Sequence, residues 1–381
     1  MKTGVMQSGV MKSRAAVLFE RPGRYQVVDV DVDEPKANEV LVQYTASGLC
    51  GSDVHFITGS SGGPLPFCAG HEGAGVVQEV GPGVTAVKPG DHFVASFVPS
   101  CGRCRYCASG RSNLCQLGAY LQTGPMMDGT YRMHYEGQDL HQFLLISTFA
   151  QYAVVPEASL VKIPDDVPLD TVCLLGCGVG TGLGSSFYAA DVRPGDNVMI
   201  LGAGGVGMNA VQGAALAGAA TVTVVDPVSF KREMAEKLGA THTFAAVAEA
   251  TDFVRSITDG QGADSAVLAM FEPTNRDLAE AFDAVGKGGT VVLTGMARTD
   301  EPVGIPIHLL AIAGMQKTIR GNIFGMCNPQ VDVLRQIDLY RAGKLRLDEM
   351  ITRRYALDDV NVAVDDMLEG RNIRGVIVHD R

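Results

Sequence analysis

The sequence predicts an α/β protein of two domains, one β-rich and of barrel type, the other built on a doubly wound parallel sheet. Three observations carry this. Residues 14 to about 100 alternate short runs rich in Val and aromatics with P-G, G-P-G and P-G-D turns, the rhythm of a meandering barrel. After Gly178 the pattern changes to strand–helix alternation over about 140 residues, which implies a parallel sheet covered on both faces. At 381 residues the chain is too long for a single small core.

In the first region the strand candidates are RAAVLF, YQVVDVDV, EVLVQYTA, GAGVVQEV and DHFVASF. Residues 116–150 form a long, weakly periodic stretch, and loops of that length in compact domains serve function or an interface. Strand-like runs resume at FAQYAVV and LVKI. In the second region NVMIL, TVTVV, THTFA, DSAVLAM, TVVLTG and KTIRG are six strands. Helix-like runs such as VGMNAVQGAALAGA, FKREMAEKLGA and RDLAEAFDAVGKGG separate most of them. The tail holds a helix-like run, VDVLRQIDLYRAGKL, and a strand-like run, GVIVH.

Composition narrows the function. The formal charge of −11 argues against nucleic acid as a partner, because phosphate binding needs a basic face. Arg103, Arg105 and Arg111 cluster, but among four cysteines, as a solvated rim. No run of 18 apolar residues free of charges suggests a membrane span. The first ten residues read as a tail without a signal-peptide core, with periodic sequence starting at Arg14. Nine cysteines, an odd total with C-x2-C spacings at Cys101, Cys104 and Cys107, fit metal better than disulfides and point to a reducing cytoplasm. Cys68, Cys173 and Cys327 read as small core residues.

Four thiols, Cys101, Cys104, Cys107 and Cys115, fall within 15 residues, and this set is specific. Soft ligands in one short loop suit a closed tetrahedral zinc site that orders the loop. Cys50, His71 and Cys177 come from three separate segments, each beside glycine, and could form a Cys2His set with one open position. Glu72 is an acid near that metal or a packed carboxylate, and Asp53 could orient the imidazole.

The loop Gly202-Ala203-Gly204-Gly205-Val206-Gly207 follows a strand candidate and opens a helix. Its glycines allow a tight turn, close approach of a pyrophosphate, and helix-on-strand packing. Asp226 ends the next strand, where a carboxylate binds ribose hydroxyls and repels a 2′-phosphate, favouring NAD over NADP. Lys231 follows within reach of the adenosine ribose.

These motifs together resemble the zinc-dependent alcohol dehydrogenases of the medium-chain dehydrogenase/reductase superfamily. The carriers are G-L-C-G-S-D-V-H (48–55), G-H-E-G-A-G-V-V-Q-E-V-G (70–81), the four-cysteine loop, G-C-G-V-G-T-G (176–182), the Gly202 loop with Asp226, and N-I-R-G-V-I-V (372–378). The resemblance spans residues 14–381 and implies a GroES-like catalytic domain at 1–178 and 322–381 around a Rossmann domain at 179–321. It implies Cys50, His71 and Cys177 as catalytic zinc ligands with Glu72 nearby, Ser52 as the hydroxyl taking the alcohol proton, and His55 as the relay base. Thr181 and Val206 would lie against the nicotinamide, Arg374 on the pyrophosphate, and Phe97, Phe143, Leu144 and Ile323 along an apolar alcohol pocket.

The segment after Cys115 resembles the longer dimeric members, implying a homodimer, with a tetramer as the other assembly. More narrowly, V-D-P-V-S-F-K-R-E and Y-R-A-G-K-L-R-L-D-E are similar to an actinobacterial group dependent on N,N-dimethyl-4-nitrosoaniline, implying a retained nicotinamide and an external redox acceptor. One departure stands out: Gly51 occupies a position where many relatives carry Arg or His toward the pyrophosphate, which weakens that contact. The expected activity is reversible hydride transfer between a primary or aromatic alcohol, or its aldehyde, and NAD. A thiol-adduct formaldehyde dehydrogenase, a polyol dehydrogenase and a zinc-free structural or binding relative are the alternatives.

Overall fold

A computed structural model describes residues 10–296, 304 and 306–380. The N-terminal tail expected from the sequence lies, apart from Val10, outside the described residues. Regular structure begins earlier than the sequence pattern indicates, in a strand at Met11–Leu18 rather than at Arg14. Seven main-chain partners explain it: Met11 through Val17 pair antiparallel with Val32 through Gln26.

The chain divides into two units. The first contains the residues up to Cys177, Asn328–Ala342 and those from Leu347 onward; the second contains Gly178–Cys327 and Gly343–Arg346. The return to the first unit therefore falls six residues later than the 321/322 boundary drawn from sequence. Phe324–Met326 stays with the second unit, where Gly325 lies so close to Gly184 and the Gly180 carbonyl that a Cβ would not fit.

In the first unit, Met11–Leu18, Gln26–Val32, Met133–Tyr135, Gln138–Gln142 and Phe67–Cys68 close a small barrel. A seven-stranded sheet is organised by the long strand Glu39–Leu49, which pairs with Gly73–Val80, Tyr152–Pro156 and Arg374–Val378. Alternating apolar residues bury Val40, Val42 and Tyr44 in one core, where the rings of Tyr44 and Phe93 meet edge to face at 5.8 Å.

The stretch 116–150, weakly periodic in sequence, contains an antiparallel hairpin, Met133–Tyr135 with Gln138–Gln142. Its strands are too short and polar to show a two-residue period. What fixes it is ionic: fully buried Arg132 donates to both oxygens of Glu39, each at 2.7 Å, and to Asp128 at 2.8 Å. Such a buried fork tolerates the loss of neither partner.

The second unit is a six-stranded, wholly parallel sheet. Its spatial order is His242–Phe244, Thr221–Val225, Asn197–Leu201, Ala263–Leu268, Val285–Leu293 and Thr318–Gly321. The order reverses between Asn197–Leu201 and Ala263–Leu268, and in open α/β sheets ligands bind beyond the carboxyl ends of the strands at this switch. Fully buried Met199, Ile200, Leu201, Ala266, Val267 and Leu268 at its centre match strands covered on both faces.

Candidate active site and cofactor sites

The first donor set is assembled on a helix start and two turns. The helix Gly51–Thr58 begins at Cys50 and has Asp53 at its third position. The Asp53 carboxylate accepts from the Cys50 backbone N–H at 3.0 Å, which caps the helix. Its other oxygen lies 2.9 Å from Nδ1 of His71. That bond turns Nε2 of His71 toward Cys50 and Cys177, and Nε2 is buried with no hydrogen-bond partner among the described residues.

Cys50, His71, Glu72 and Cys177 each place one donor atom within 4.8 Å of the others, all four buried. An orphaned buried imidazole nitrogen between two thiols is the donor chemistry of zinc. Without a metal the donors share protons among themselves, and binding a metal would displace them. A hydrogen bond from Cys177 holds the Cys50 thiol well below its usual range despite burial. Cys177, which supplies that bond and is itself buried, is held well above its own. For His71, burial disfavours the charge, but Asp53, then Cys50, outweigh it and raise the imidazole well above its usual value.

Glu72 is fully buried and paired with the Arg374 guanidinium, which also donates to the Leu49 carbonyl at 3.2 Å. Burial pushes the Glu72 carboxyl up to about 7, against the opposing charge of Arg374. Gly48 makes room for the pair: a Cβ there would run into Glu72, Leu174 and Arg374. The structure thus places Arg374 on Glu72, a contact the sequence did not suggest.

Ser52 Oγ lies 3.9 Å from the Cys50 sulfur, and the buried His55 follows three residues on along the same helix. Two aromatic rings stand at right angles to His71, Phe97 at 5.9 Å and Phe143 at 5.7 Å. Phe143 packs in turn on Phe56 at 4.6 Å and Phe67 at 5.4 Å. The segment after Phe143 is strained, with Leu144, Leu145 and Ser147 at φ of 51°, 67° and 42°. It is pinned by Ser147, whose hydroxyl accepts from Phe143 N–H at 2.9 Å and donates to the Cys68 carbonyl at 2.7 Å. Leu144 is buried there, whereas Ile323 lies in the second unit and is exposed.

The four cysteines at 101, 104, 107 and 115 form the second set, again with sulfurs within 4.8 Å of one another. Cys101 and Cys107 sulfurs are 3.9 Å apart, close to the ~3.8 Å expected between thiolates sharing one tetrahedral zinc at about 2.3 Å. Backbone N–H groups point at the sulfurs: Cys101 to Cys115 and Cys104 to Cys101 at 3.4 Å, and Cys107 to Cys104 at 3.5 Å. Those of Cys107 and Gln116 pull the Cys104 thiol down to about 6, while burial drives Cys115 up to about 12. Metal binding would displace the remaining thiol protons.

In the second unit the Gly202 loop leads into the helix Gly205–Leu216. Gly202 has φ of 97°, and a Cβ would press on the backbone of Ala269 and Met270. A Cβ on Gly207 would strike the Gly202 carbonyl, whereas one on Gly204 would meet no protein atom. The loop is therefore tight where it packs on itself and open at Gly204, beside the N-terminus of the helix begun by Gly205 and Val206, which suits a pyrophosphate. Asp226 is buried, its carboxylate accepting from the N–H of Ala203 at 2.8 Å and of Val228 at 2.9 Å. It ties the glycine loop to the next strand. Lys231 lies in the first turn of the helix Ser229–Lys237, and Arg232 beside it donates to the carbonyls of Asp226 and Pro227 at 2.7 and 3.0 Å.

A parallel-sheet dinucleotide unit joined to a β-rich unit carrying two zinc-type donor sets defines the class of zinc-dependent, nicotinamide-linked dehydrogenases. Residues 36–165 match the family described as "Alcohol dehydrogenase GroES-like domain", and residues 205–338 match "Zinc-binding dehydrogenase". The chain is 48% identical, over 97% of its length and 99% of the relative's, to a protein of Amycolatopsis methanolica named "NDMA-dependent alcohol dehydrogenase". Among solved structures, an alcohol dehydrogenase zinc-binding domain protein from Burkholderia ambifaria superposes with a TM-score of 0.91 at 32% identity, covering 98% of this chain and 100% of that one. Benzyl alcohol dehydrogenase from Acinetobacter calcoaceticus gives 0.88 at 30%, covering 97% and 99%. The chain belongs to the zinc-dependent alcohol dehydrogenase family of the medium-chain dehydrogenase/reductase superfamily. It is an oxidoreductase with zinc and NAD as its cofactors and GroES-like and Rossmann domains as its parts.

A further set in the second unit escaped the sequence reading. Ser185, Thr294 and Asn322 are hydrogen-bonded to one another although they are 28 to 137 residues apart in pairs. No motif connects them.

Proposed function

We propose that this enzyme oxidises a primary alcohol with an apolar or aromatic tail. The observation that carries this is the pair of rings, Phe97 and Phe143, set perpendicular to His71 beside its free Nε2. With Leu144 they make the wall next to the first donor set apolar, which favours a hydrocarbon or aryl group over a polyol or a charged thiol adduct.

Cys50, His71 and Cys177 would hold the catalytic zinc and Cys101, Cys104, Cys107 and Cys115 a structural one; a bound zinc acts as a Lewis acid that makes an alcohol hydroxyl more acidic. With zinc in place, Asp53 would hold the proton on Nδ1 of His71 and leave Nε2 to the metal. Ser52 takes the alcohol proton at Oγ, and His55 passes it toward solvent. Gly202, Gly204, Gly205, Val206 and Gly207 cradle the phosphates of NAD, Asp226 and Lys231 hold its adenosine ribose, and Thr181 and Val206 flank the nicotinamide. Arg374 serves Glu72 first, with the pyrophosphate as its proposed second partner.

A homodimer is the proposed assembly. On the helix Leu309–Met315, Leu309 and Leu310 are 82% and 79% exposed and precede the sheet-edge strand Thr318–Gly321. Six of the nine cysteines supply the two zinc-type donor sets, a use of thiols suited to a reducing cytoplasm, the proposed setting. The 48% identity to an Amycolatopsis methanolica protein named "NDMA-dependent alcohol dehydrogenase" supports an external redox acceptor, and a retained nicotinamide is proposed with it.

The test compares benzyl alcohol, glycerol and S-(hydroxymethyl)glutathione as substrates, after measuring the nucleotide released on denaturing the purified protein. Benzyl alcohol should give the highest kcat/KM. Preference for either polar substrate would overturn the aromatic-pocket reading. Near-stoichiometric released nicotinamide supports the retained cofactor, and an empty protein that reduces added NAD rejects it.

A further inference from the structure

His379 follows the last strand, Arg374–Val378, which runs antiparallel to Glu39–Leu49 with Ile377 opposite Ser47 and Val378 opposite Ala46. The His379 N–H donates to the Thr45 carbonyl at 3.0 Å and carries the pairing one residue further. At its start this strand delivers Arg374 to Glu72. At its end it delivers an imidazole to the Thr148 carbonyl, 3.0 Å from Nε2. His379, Thr148 and Ser47 are all buried.

A carbonyl can only accept, so Nε2 of His379 carries the hydrogen. Burial keeps the ring neutral, which leaves Nδ1 a bare acceptor, itself buried and without a partner among the described residues. A leucine would fill this space without leaving a buried polar atom unpaired. Stability alone therefore does not account for an imidazole here, and the bond to Thr148 does.

Thr148 lies under the turn that carries His71. Its N–H donates to the Gly70 carbonyl at 3.0 Å, and the N–H of Phe149 donates to the Ala69 carbonyl at 2.9 Å. A Cβ on Gly70 would come within 2.6 Å of Thr148 Oγ1, and one on Gly73 within 2.8 Å of its methyl carbon. Gly70, at φ of 86°, and Gly73 bracket His71 and Glu72, so one threonine side chain packs against both ends of the turn. The Thr148 hydroxyl also meets Ser47 Oγ at 2.5 Å. Upstream, Leu144, Leu145 and Ser147 are left-handed, and such backbone persists only where its surroundings over-determine it. Ser147 clamps that run on one side and His379 clamps it at Thr148.

We propose that His379 is a positioning residue for the catalytic metal site. By holding the Thr148 carbonyl it keeps the Thr148 side chain seated between Gly70 and Gly73, and so sets His71 relative to Cys50 and Cys177. Asp53 orients the ring of His71, and His379 sets its backbone. The inference rests on Cys50, His71 and Cys177 holding the catalytic zinc.

The experiment titrates the zinc-loaded enzyme with a chelator at neutral pH and follows zinc per chain. It compares wild type, His379→Leu and His379→Gln, each also in a Cys177→Ser background that leaves only the four-cysteine zinc. His379→Leu should weaken one zinc per chain about tenfold and leave the zinc of the Cys177→Ser background unchanged. His379→Gln, whose amide N–H can reach the same carbonyl, should stay within about twofold of wild type. His379→Met, likewise without an N–H, carries the test should His379→Leu misfold. Unchanged zinc affinity, equal weakening at both sites, or a Gln variant as weak as the Leu variant overturns the inference. A wild type that holds zinc only at the four cysteines would overturn the catalytic zinc assignment itself.

Discussion

Asp53 and His71 are joined at 2.9 Å through a carboxylate whose second oxygen caps the helix begun by Cys50. One side chain therefore fixes the backbone of one zinc ligand and the ring of another. Both residues are buried, so no water can take over either bond.

Replacing Asp53 with Asn should lower zinc affinity at the catalytic site about 10- to 100-fold, as losing a carboxylate behind a ligand imidazole does. Zinc content during titration with a chelator measures this. The four-cysteine site should keep its metal, and simultaneous loss from both sites would contradict the assignment.

The two donor sets should fail differently. Cys177→Ser should abolish alcohol oxidation while leaving the melting temperature near that of wild type. Cys104→Ser should lower the melting temperature, because metal and N–H···S bonds order a loop with little core of its own. Each variant should hold one zinc per chain instead of two. Unchanged oxidation by Cys177→Ser would sink the catalytic assignment.

Gly48 should accept no side chain. Gly48→Ala would force apart Glu72, Leu174 and Arg374, and overpacking of this kind costs about 1–3 kcal/mol. Urea unfolding of the variant reads the loss, and full stability would show that the Glu72–Arg374 pair has slack.

His379 sets a pH dependence. It is buried, with Nε2 on the Thr148 carbonyl at 3.0 Å, and burial lowers its pKa from 6.5 to about 4 despite that carbonyl. Between those values the unfolded chain takes up a proton that the folded one refuses. The stabilisation is complete above pH 6.5 and is lost as pH falls toward 4, by up to about 3 kcal/mol. Melting temperature against pH should fall less steeply between 6.5 and 4 in His379→Gln, and parallel curves would exclude His379 as the source.

Asp226→Gly should shift nucleotide preference toward NADP by about 10- to 100-fold, the size of one or two charge-assisted hydrogen bonds. Binding constants for both nucleotides measure it, and an unaltered ratio would remove Asp226 from the ribose.

How much of this was legible in the sequence depends on distance along the chain. The four-cysteine loop and the Gly202 loop are local, so their spacing alone announces a thiol cage and a phosphate turn. Cys50, His71 and Cys177 are ordinary residues by spacing, and only the family resemblance gathers them. The hairpin Met133–Gln142 was invisible because its order comes from the Arg132–Glu39 pair, 93 residues apart, and not from an apolar period. Arg374 with Glu72 and Asn322 with Ser185 are contacts created by topology, 302 and 137 residues apart. Sequence shows Asn322 as an amide with no stated purpose, and Arg374 only through the resemblance, which assigns it to the pyrophosphate and not to Glu72.

The interleaving of the two units sets an order of birth on the ribosome. Gly178–Cys327 is nearly contiguous and can collapse as it emerges, since its sheet needs no strand from elsewhere. The first unit has most of its residues made early, yet its central strand Glu39–Leu49 waits for Arg374–Val378, synthesised after the whole second unit. Until then Glu72 has no Arg374, and the thiols of Cys50 and Cys177 belong to an unfinished sheet. The strands of the nucleotide-binding sheet are thus all synthesised before Arg374–Val378, the strand that pairs with Glu39–Leu49 beside Cys50.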